Sequence, residues 1–128
     1  MLAIGDIYVY VTDFEIALRF YAEGLGLTVT QRESSAASSF ALLDFPDGGP
    51  SIRLFGGAAT WPLGQRPPAG TRPTVRFDIA TDDFDGTLAG LVESGGEQAD
   101  EIEEYDGLRV VTIADPDGNT FELIELPA

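Results

Sequence analysis

The residues able to do chemistry in this chain are carboxylates, arginines and tyrosines, because it contains no histidine and no cysteine. That removes imidazole and thiolate metal ligands, disulfides, and every Ser-His or Cys-His nucleophile. What remains stands in strand-like surroundings: Asp6 just ahead of IYVYV, Arg53 in SIRLFG, Arg76 in TVRFDIA and Glu122 in DPDGNTFELIE. A carboxylate such as Asp6 or Glu122 serves as a general acid or base where burial raises its pKa, and an arginine grips oxyanions through its planar fork. GGPSIRLFGG has neither the order nor the lysine of a phosphate-binding loop.

The charge balance narrows the partners. There are 22 acids against 7 bases, every base an arginine, for a formal net charge of -15. Nothing offers the basic face that phosphate backbones require, so nucleic acid is not an expected partner. Residues 1–64 carry 7 acids and 3 arginines while the remainder carries 15 and 4, so the acidity is concentrated in the second half. EQADEIEEYDG, residues 97–107, holds six of those acids and reads either as a solvated segment that maintains solubility or as an attractor of cationic ligands. No apolar run approaches the roughly 20 residues of a membrane span, and no basic leader precedes an apolar core; the expectation is no membrane partner and a cytoplasmic location.

At 128 residues the chain fits one domain with a real core. IYVYV (7–11) is a β-branched and aromatic strand, and Asp13 then caps a helix over 14–26 with Phe14, Ala17, Leu18 and Tyr21 on one face. LTVTQR (27–32), SFALLDF (39–45) and SIRLFG (51–56) are strands, the last two joined through Pro46-Asp47-Gly48. A stretch rich in glycine and proline follows and reads as a linker over about residues 57–72. The pattern then repeats: TVRFDIA (74–80) is a strand, residues 81–96 a capped helix, and GLRVVTIAD and NTFELIEL are strands around Pro116-Asp117-Gly118. Asp13 and Asp83, Phe14 and Phe84, Leu18 and Leu88, Gly26 and Gly96, and the two Pro-Asp-Gly turns all recur at an offset of 70, which slips to 69 in the final strands. This predicts an α+β chain of two tandem βαβββ modules, about 1–56 and about 73–128, within a single domain over 1–128.

VTDFEIALRFYAEGLG followed by DPDGNTFELIE resembles the vicinal oxygen chelate superfamily, which includes glyoxalase I, extradiol dioxygenases and bleomycin-resistance proteins. The resemblance runs over roughly residues 4–126 and implies the superfamily's fold: two βαβββ modules forming a paired, cup-shaped mixed β-sheet. It also implies corners where metal-dependent members hold their ion, at the first and last strands of each module. Those corners are Asp6, Arg53, Arg76 (with Thr74 as the fallback) and Glu122. Two are arginines, whose permanent positive charge repels a cation, so neither a metal site nor another cofactor is expected.

Strand alternation assigns the cup lining from these corners: Asp6 brings Tyr8 and Tyr10, Arg53 brings Ser51 and Phe55, Arg76 brings Thr74 and Asp78, and Glu122 brings Thr120 and Ile124. Candidate ligand-binding residues are therefore Asp6, Tyr8, Tyr10, Arg53, Phe55, Thr74, Arg76 and Glu122, with Trp61 of the linker either capping the sheet or stacking on a ligand. Tyr8 and Tyr10 read equally as ordinary sheet aromatics, and Arg53 and Glu122 as members of structural salt bridges. No residue is assigned a catalytic role, with Glu122 and Asp6 the nearest candidates. The resemblance implies a small-molecule binder with a degenerate metal site, sequestering an aromatic or cationic, antibiotic-like compound. Its alternative is an enzyme of lyase or dioxygenase type that uses an atypical metal site or carboxylate acid-base chemistry. A homodimer is expected, since half-open sheets leave edges for pairing.

Overall fold

The computed structural model describes residues 1–57 and 77–127, in which two modules repeat one plan. The first runs β1 (Ile7–Val11), α1 (Phe14–Arg19), β2 (Thr28–Ser34), β3 (Ser39–Asp44) and β4 (Ile52–Gly56). The second runs β5 (Asp78–Thr81), α2 (Phe84–Glu93), β6 (Glu97–Gln98), β7 (Glu103–Tyr105), β8 (Leu108–Ala114) and β9 (Thr120–Glu125). The first sheet has the order β1-β4-β3-β2, with β1 and β4 parallel and the other pairs antiparallel. In the second the order is β5-β9-β8, and β6 and β7 lie one after the other along the free edge of β8.

The duplication is visible residue by residue. Val9 pairs with Leu54 in the first sheet and Ile79 with Leu123 in the second, so the first strands are related by 70 residues and the last by 69. Each helix starts on an aspartate: the carboxylate of Asp13 accepts from Ile16 N–H at 3.3 Å and that of Asp83 from Gly86 N–H at 3.1 Å, satisfying donors a helix start leaves free. Alternation along the strands does the rest. Val9, Val11, Ile52 and Leu54 in one sheet and Ile79, Val111, Phe121 and Leu123 in the other are buried beneath the helices, while the opposite set faces away from them. These residues and Phe14, Leu18, Phe20, Tyr21, Phe84 and Leu91 of the helical segments form one core across both modules. Each fully buried side chain of this size contributes roughly 1.5–3 kcal/mol.

The first helix departs from the expected single span over 14–26. It is α-helical only to Arg19 and continues as a π-helical turn over Phe20–Gly24. Phe20 and Tyr21, consecutive residues, are both buried, at 0% and 1% exposure. The Tyr21 hydroxyl donates to Asp115 of the other module at 2.7 Å, so a contact distant in sequence fixes this turn. Gly24 lies against Leu91 of α2 and Ser94, the residue that caps its end, where a Cβ would sit 3.3 Å from each. The helical segments thus meet closely on one side of the two sheets.

Candidate functional site

In the first module the face turned away from the helix is aromatic, with one ion pair at its edge. Tyr8 lies opposite Arg53 and Tyr10 opposite Phe55 in the parallel pairing of β1 and β4, while Phe40 and Leu42 of β3 lie opposite Phe55 and Arg53. The rings follow the register. Phe55 stands 5.5 Å from Tyr8 and from Tyr10, with interplanar angles of 28° and 20°, and 5.2 Å from Phe40. Phe40 and Leu42 were absent from the predicted lining, although the alternation of SFALLD carries them; strand β3 simply holds no metal corner from which to count.

Asp6 precedes β1 and is tied down twice. Its Oδ2 accepts from Arg53 Nε at 2.6 Å and its Oδ1 from the Ser51 backbone N–H at 3.1 Å. The Arg53 hydrogen bond foremost, with the Ser51 N–H beside it, holds the Asp6 carboxyl below the usual carboxylate range. Arg53 is raised in turn by the same hydrogen bond and has its guanidinium carbon 5.9 Å from the Tyr8 ring. The sequence allowed Arg53 to pair with Glu122, Asp6 or both; its carboxylate partner in the structure is Asp6.

The second module has a different face. Thr112 and Asp78 flank Glu122 in the register of β8, β9 and β5. The edge strand beside β8 breaks between β6 and β7, and there the Asp100 side chain takes the place of a ladder partner, accepting from the Thr112 backbone N–H at 2.8 Å. The break opens a cavity of about 310 Å³ lined by Asp100, Glu101, Glu103, Tyr105, Leu108, Val110, Val111, Glu122 and Ile124. Its floor is aliphatic and its rim carboxylate. Thr112, only 6% exposed, has its hydroxyl 2.8 Å from Asp100 Oδ2 and 3.1 and 3.2 Å from the Glu122 oxygens. Tyr105 donates to Glu103 at 3.0 Å, and that bond raises its phenol above its ordinary value. The segment 97–107 is exposed throughout, as the solvated reading expects, and three of its acids and its tyrosine also line the cavity. An alternation pattern is invisible there because the strand is interrupted.

The predicted residues thus fall into two groups, Asp6, Tyr8, Tyr10, Arg53 and Phe55 on one sheet and Glu122 on the other. Trp61, Thr74 and Arg76 lie outside the described residues. As a divalent-metal site the corners do not fit: both Asp6 oxygens are committed, and a guanidinium sits 2.6 Å from one of them, where it repels a cation. Among the described residues no three histidine, cysteine, aspartate or glutamate side chains converge to hold an ion.

Between the modules lies a network that the sequence did not disclose. Asp115, 4% exposed, accepts from the backbone N–H groups of Asp117 and Asn119 at 2.9 and 2.8 Å, from Tyr21 at 2.7 Å and from the Asn119 amide at 3.0 Å. The Asn119 amide also donates to the Tyr10 carbonyl at 3.1 Å, and the Asp117 carboxylate accepts from Thr12 N–H at 3.0 Å. The Pro-Asp-Gly turn before β9 therefore anchors the end of β1, while burial raises the Asp115 carboxyl above its ordinary value against the pull of its donors.

Comparison with known proteins bears on this architecture. The family described as Glyoxalase/Bleomycin resistance protein/Dioxygenase superfamily matches residues 3–123. A glyoxalase family protein from Bacillus cereus superposes with a TM-score of 0.77 at 20% identity, covering 98% of this chain and 94% of that one. A glyoxylase/bleomycin resistance protein/dioxygenase domain from Frankia sp. gives 0.75 at 20% identity, with 99% of both chains covered. A glyoxalase I mutant from Zea mays gives 0.71 at 18% identity, covering 94% of this chain and 45% of that one. At these identities the likeness is one of fold. No curated protein matches the chain.

Proposed function

Because this chain belongs to the glyoxalase/bleomycin resistance protein/dioxygenase superfamily, we propose that it binds an aromatic small molecule on the face that carries Tyr8, Tyr10 and Phe55 and holds it without metal chemistry. The observation that carries this reading is the Asp6–Arg53 ion pair at 2.6 Å, standing at a metal corner and beside the Tyr8, Phe55 and Tyr10 rings. The Asp6 carboxylate that would hold an ion holds a guanidinium instead, and the surface next to the pair is suited to stacking. A cytoplasmic homodimer acting by sequestration is the form the proposal takes. Exposed β2, at the edge of the first sheet, is one strand such pairing would protect.

A thermal-shift screen of aromatic compounds, cationic and anionic, tests this directly. A ligand present at 100 times its Kd stabilises the folded state by about 2.7 kcal/mol through mass action. The expected result is a saturable shift with the compound recovered unchanged, and its loss in Tyr8→Ala. A shift that survives Tyr8→Ala, or a compound returned chemically altered, contradicts the proposal.

A second reading, carboxylate acid-base catalysis, has one observation in its favour. Asp100 and Glu122, both within 3.2 Å of the Thr112 hydroxyl, bring two carboxylates to the lining of one cavity, the kind of pair that general acid-base chemistry uses. Turnover of a screened compound, abolished in Glu122→Gln, would favour this reading over sequestration.

A further inference from the structure

We propose that Arg53 and Tyr8 form a carboxylate subsite for a planar aromatic anion, a ligand class that rests on the binding reading above. Arg53 spends only its Nε on Asp6. Neither of its terminal amino groups has a hydrogen-bond partner among the described residues, and the side chain is 37% exposed. What remains is the end-on fork of a guanidinium, whose two parallel N–H donors match a carboxylate.

This fork is held in place before any ligand arrives. Asp6 grips Nε at 2.6 Å and is itself fixed by the Ser51 N–H at 3.1 Å, so ordering the arginine costs a ligand little. Asp6 is accordingly a positioning residue. Beside the fork stands Tyr8, the register partner of Arg53, 55% exposed and with its ring 5.9 Å from the guanidinium carbon. One side of that ring is supported by Phe55 at 5.5 Å. Among the described residues β1 is the edge of its sheet, and no further strand of that sheet lies beyond it. An aromatic ring can lie against Tyr8 while its carboxylate meets the Arg53 fork. A cationic ligand is disfavoured here by Arg53, and a bare oxyanion would leave the ring unused.

Three probes that differ only in charge separate the possibilities: 2-naphthoate, 2-naphthamide and 2-naphthylmethylammonium, titrated against the full chain with NMR-detected shifts. We expect naphthoate to bind about tenfold or more tightly than naphthamide, as a charge-assisted paired contact requires. Arg53→Met should erase that preference, Tyr8→Leu should weaken both aryl probes, and Asp6→Asn should reduce the preference several-fold without unfolding the chain. The naphthoate-to-naphthamide comparison on the native chain decides the matter even where a variant folds poorly.

Equal affinity for naphthoate and naphthamide overturns the subsite, as does a preference that survives Arg53→Met. Inorganic phosphate displacing naphthoate from a site insensitive to Tyr8→Leu overturns it too. Tightest binding of the ammonium probe, lost in Glu122→Gln, overturns the subsite but leaves small-molecule binding intact. Binding of none of the probes at millimolar concentration overturns the subsite and, with an empty screen, the reading beneath it.

Discussion

Replacing Tyr21 with phenylalanine should cost stability by an amount that depends on pH, because the hydroxyl it removes serves a buried carboxylate. The Tyr21 ring is 1% exposed and its hydroxyl donates to Asp115 at 2.7 Å, so Tyr21→Phe keeps the packing and deletes one donor. A hydrogen bond to a charged group contributes about 1.5–3 kcal/mol, and one between neutral groups about 0.5–1.5. Asp115 titrates above its ordinary value of 3.8, chiefly through burial, with the Tyr21 hydrogen bond opposing that rise. Its raised pKa means that its contribution is most favourable below the unfolded value and declines as pH rises through the folded one. Deleting the donor raises the folded pKa further, so the variant is most penalised at neutral pH and approaches the native chain as acid protonates Asp115. Urea unfolding of both proteins at pH 7 and near the ordinary aspartate value should therefore give a difference of roughly 1.5–3 kcal/mol that shrinks to about 0.5–1.5 in acid. A difference that is constant with pH, or that grows in acid, would refute the role given to this hydroxyl.

Other perturbations test the remaining structure. Gly96→Ala puts a Cβ 2.3 Å from the Phe20 ring and 2.9 Å from the Leu91 carbonyl oxygen, and should destabilise by about 1–3 kcal/mol in denaturant titration; a neutral result would mean the two helical segments are not so close. Arg109 bonds Asp85 at 2.9 Å and Glu125 at 2.9 Å and lies 4.6 Å from the Phe84 ring centroid, so Arg109→Met should lower Tm at pH 7. The Arg109 hydrogen bonds hold Glu125 below its ordinary value of 4.5, so this loss should fade as pH falls through and below that value, as paired thermal melts would show. Light scattering should report twice the 13.7 kDa chain mass, and a monomer at all concentrations would remove the expected homodimer.

What could be read from the sequence was whatever repeats or alternates. The offset of 70 for Val9 and Ile79, and of 69 for Leu54 and Leu123, follows from two copies of one strand pairing, and the burial of Ile52, Leu54, Phe121 and Leu123 follows from period-two alternation. Asp13 and Asp83 were legible as caps because capping is local. The partner of Arg53 was narrowed to Glu122, Asp6 or both, since the distance between Asp6 and Arg53 depends on a parallel pairing across 47 residues. The π-helical turn and the Asp115 network were not legible at all. Both arise where one module meets the other, and the DPDGN stretch looks locally like a hairpin turn whatever its buried aspartate does. The cavity beside Glu122 escaped for a related reason: Asp100 replaces a strand partner, and nothing in EQADEIEEYDG marks which of its acids does so.

In the proposed function the corner formed by Asp6 and Arg53 is closed to metal and turned over to ligand binding. The decisive measurement is elemental analysis of protein purified without chelators, before and after dialysis against zinc, nickel, iron and manganese salts. The ion pair predicts only a small fraction of an equivalent of any of them in both samples. A full equivalent of any one metal that disappears in Asp6→Ala would contradict it.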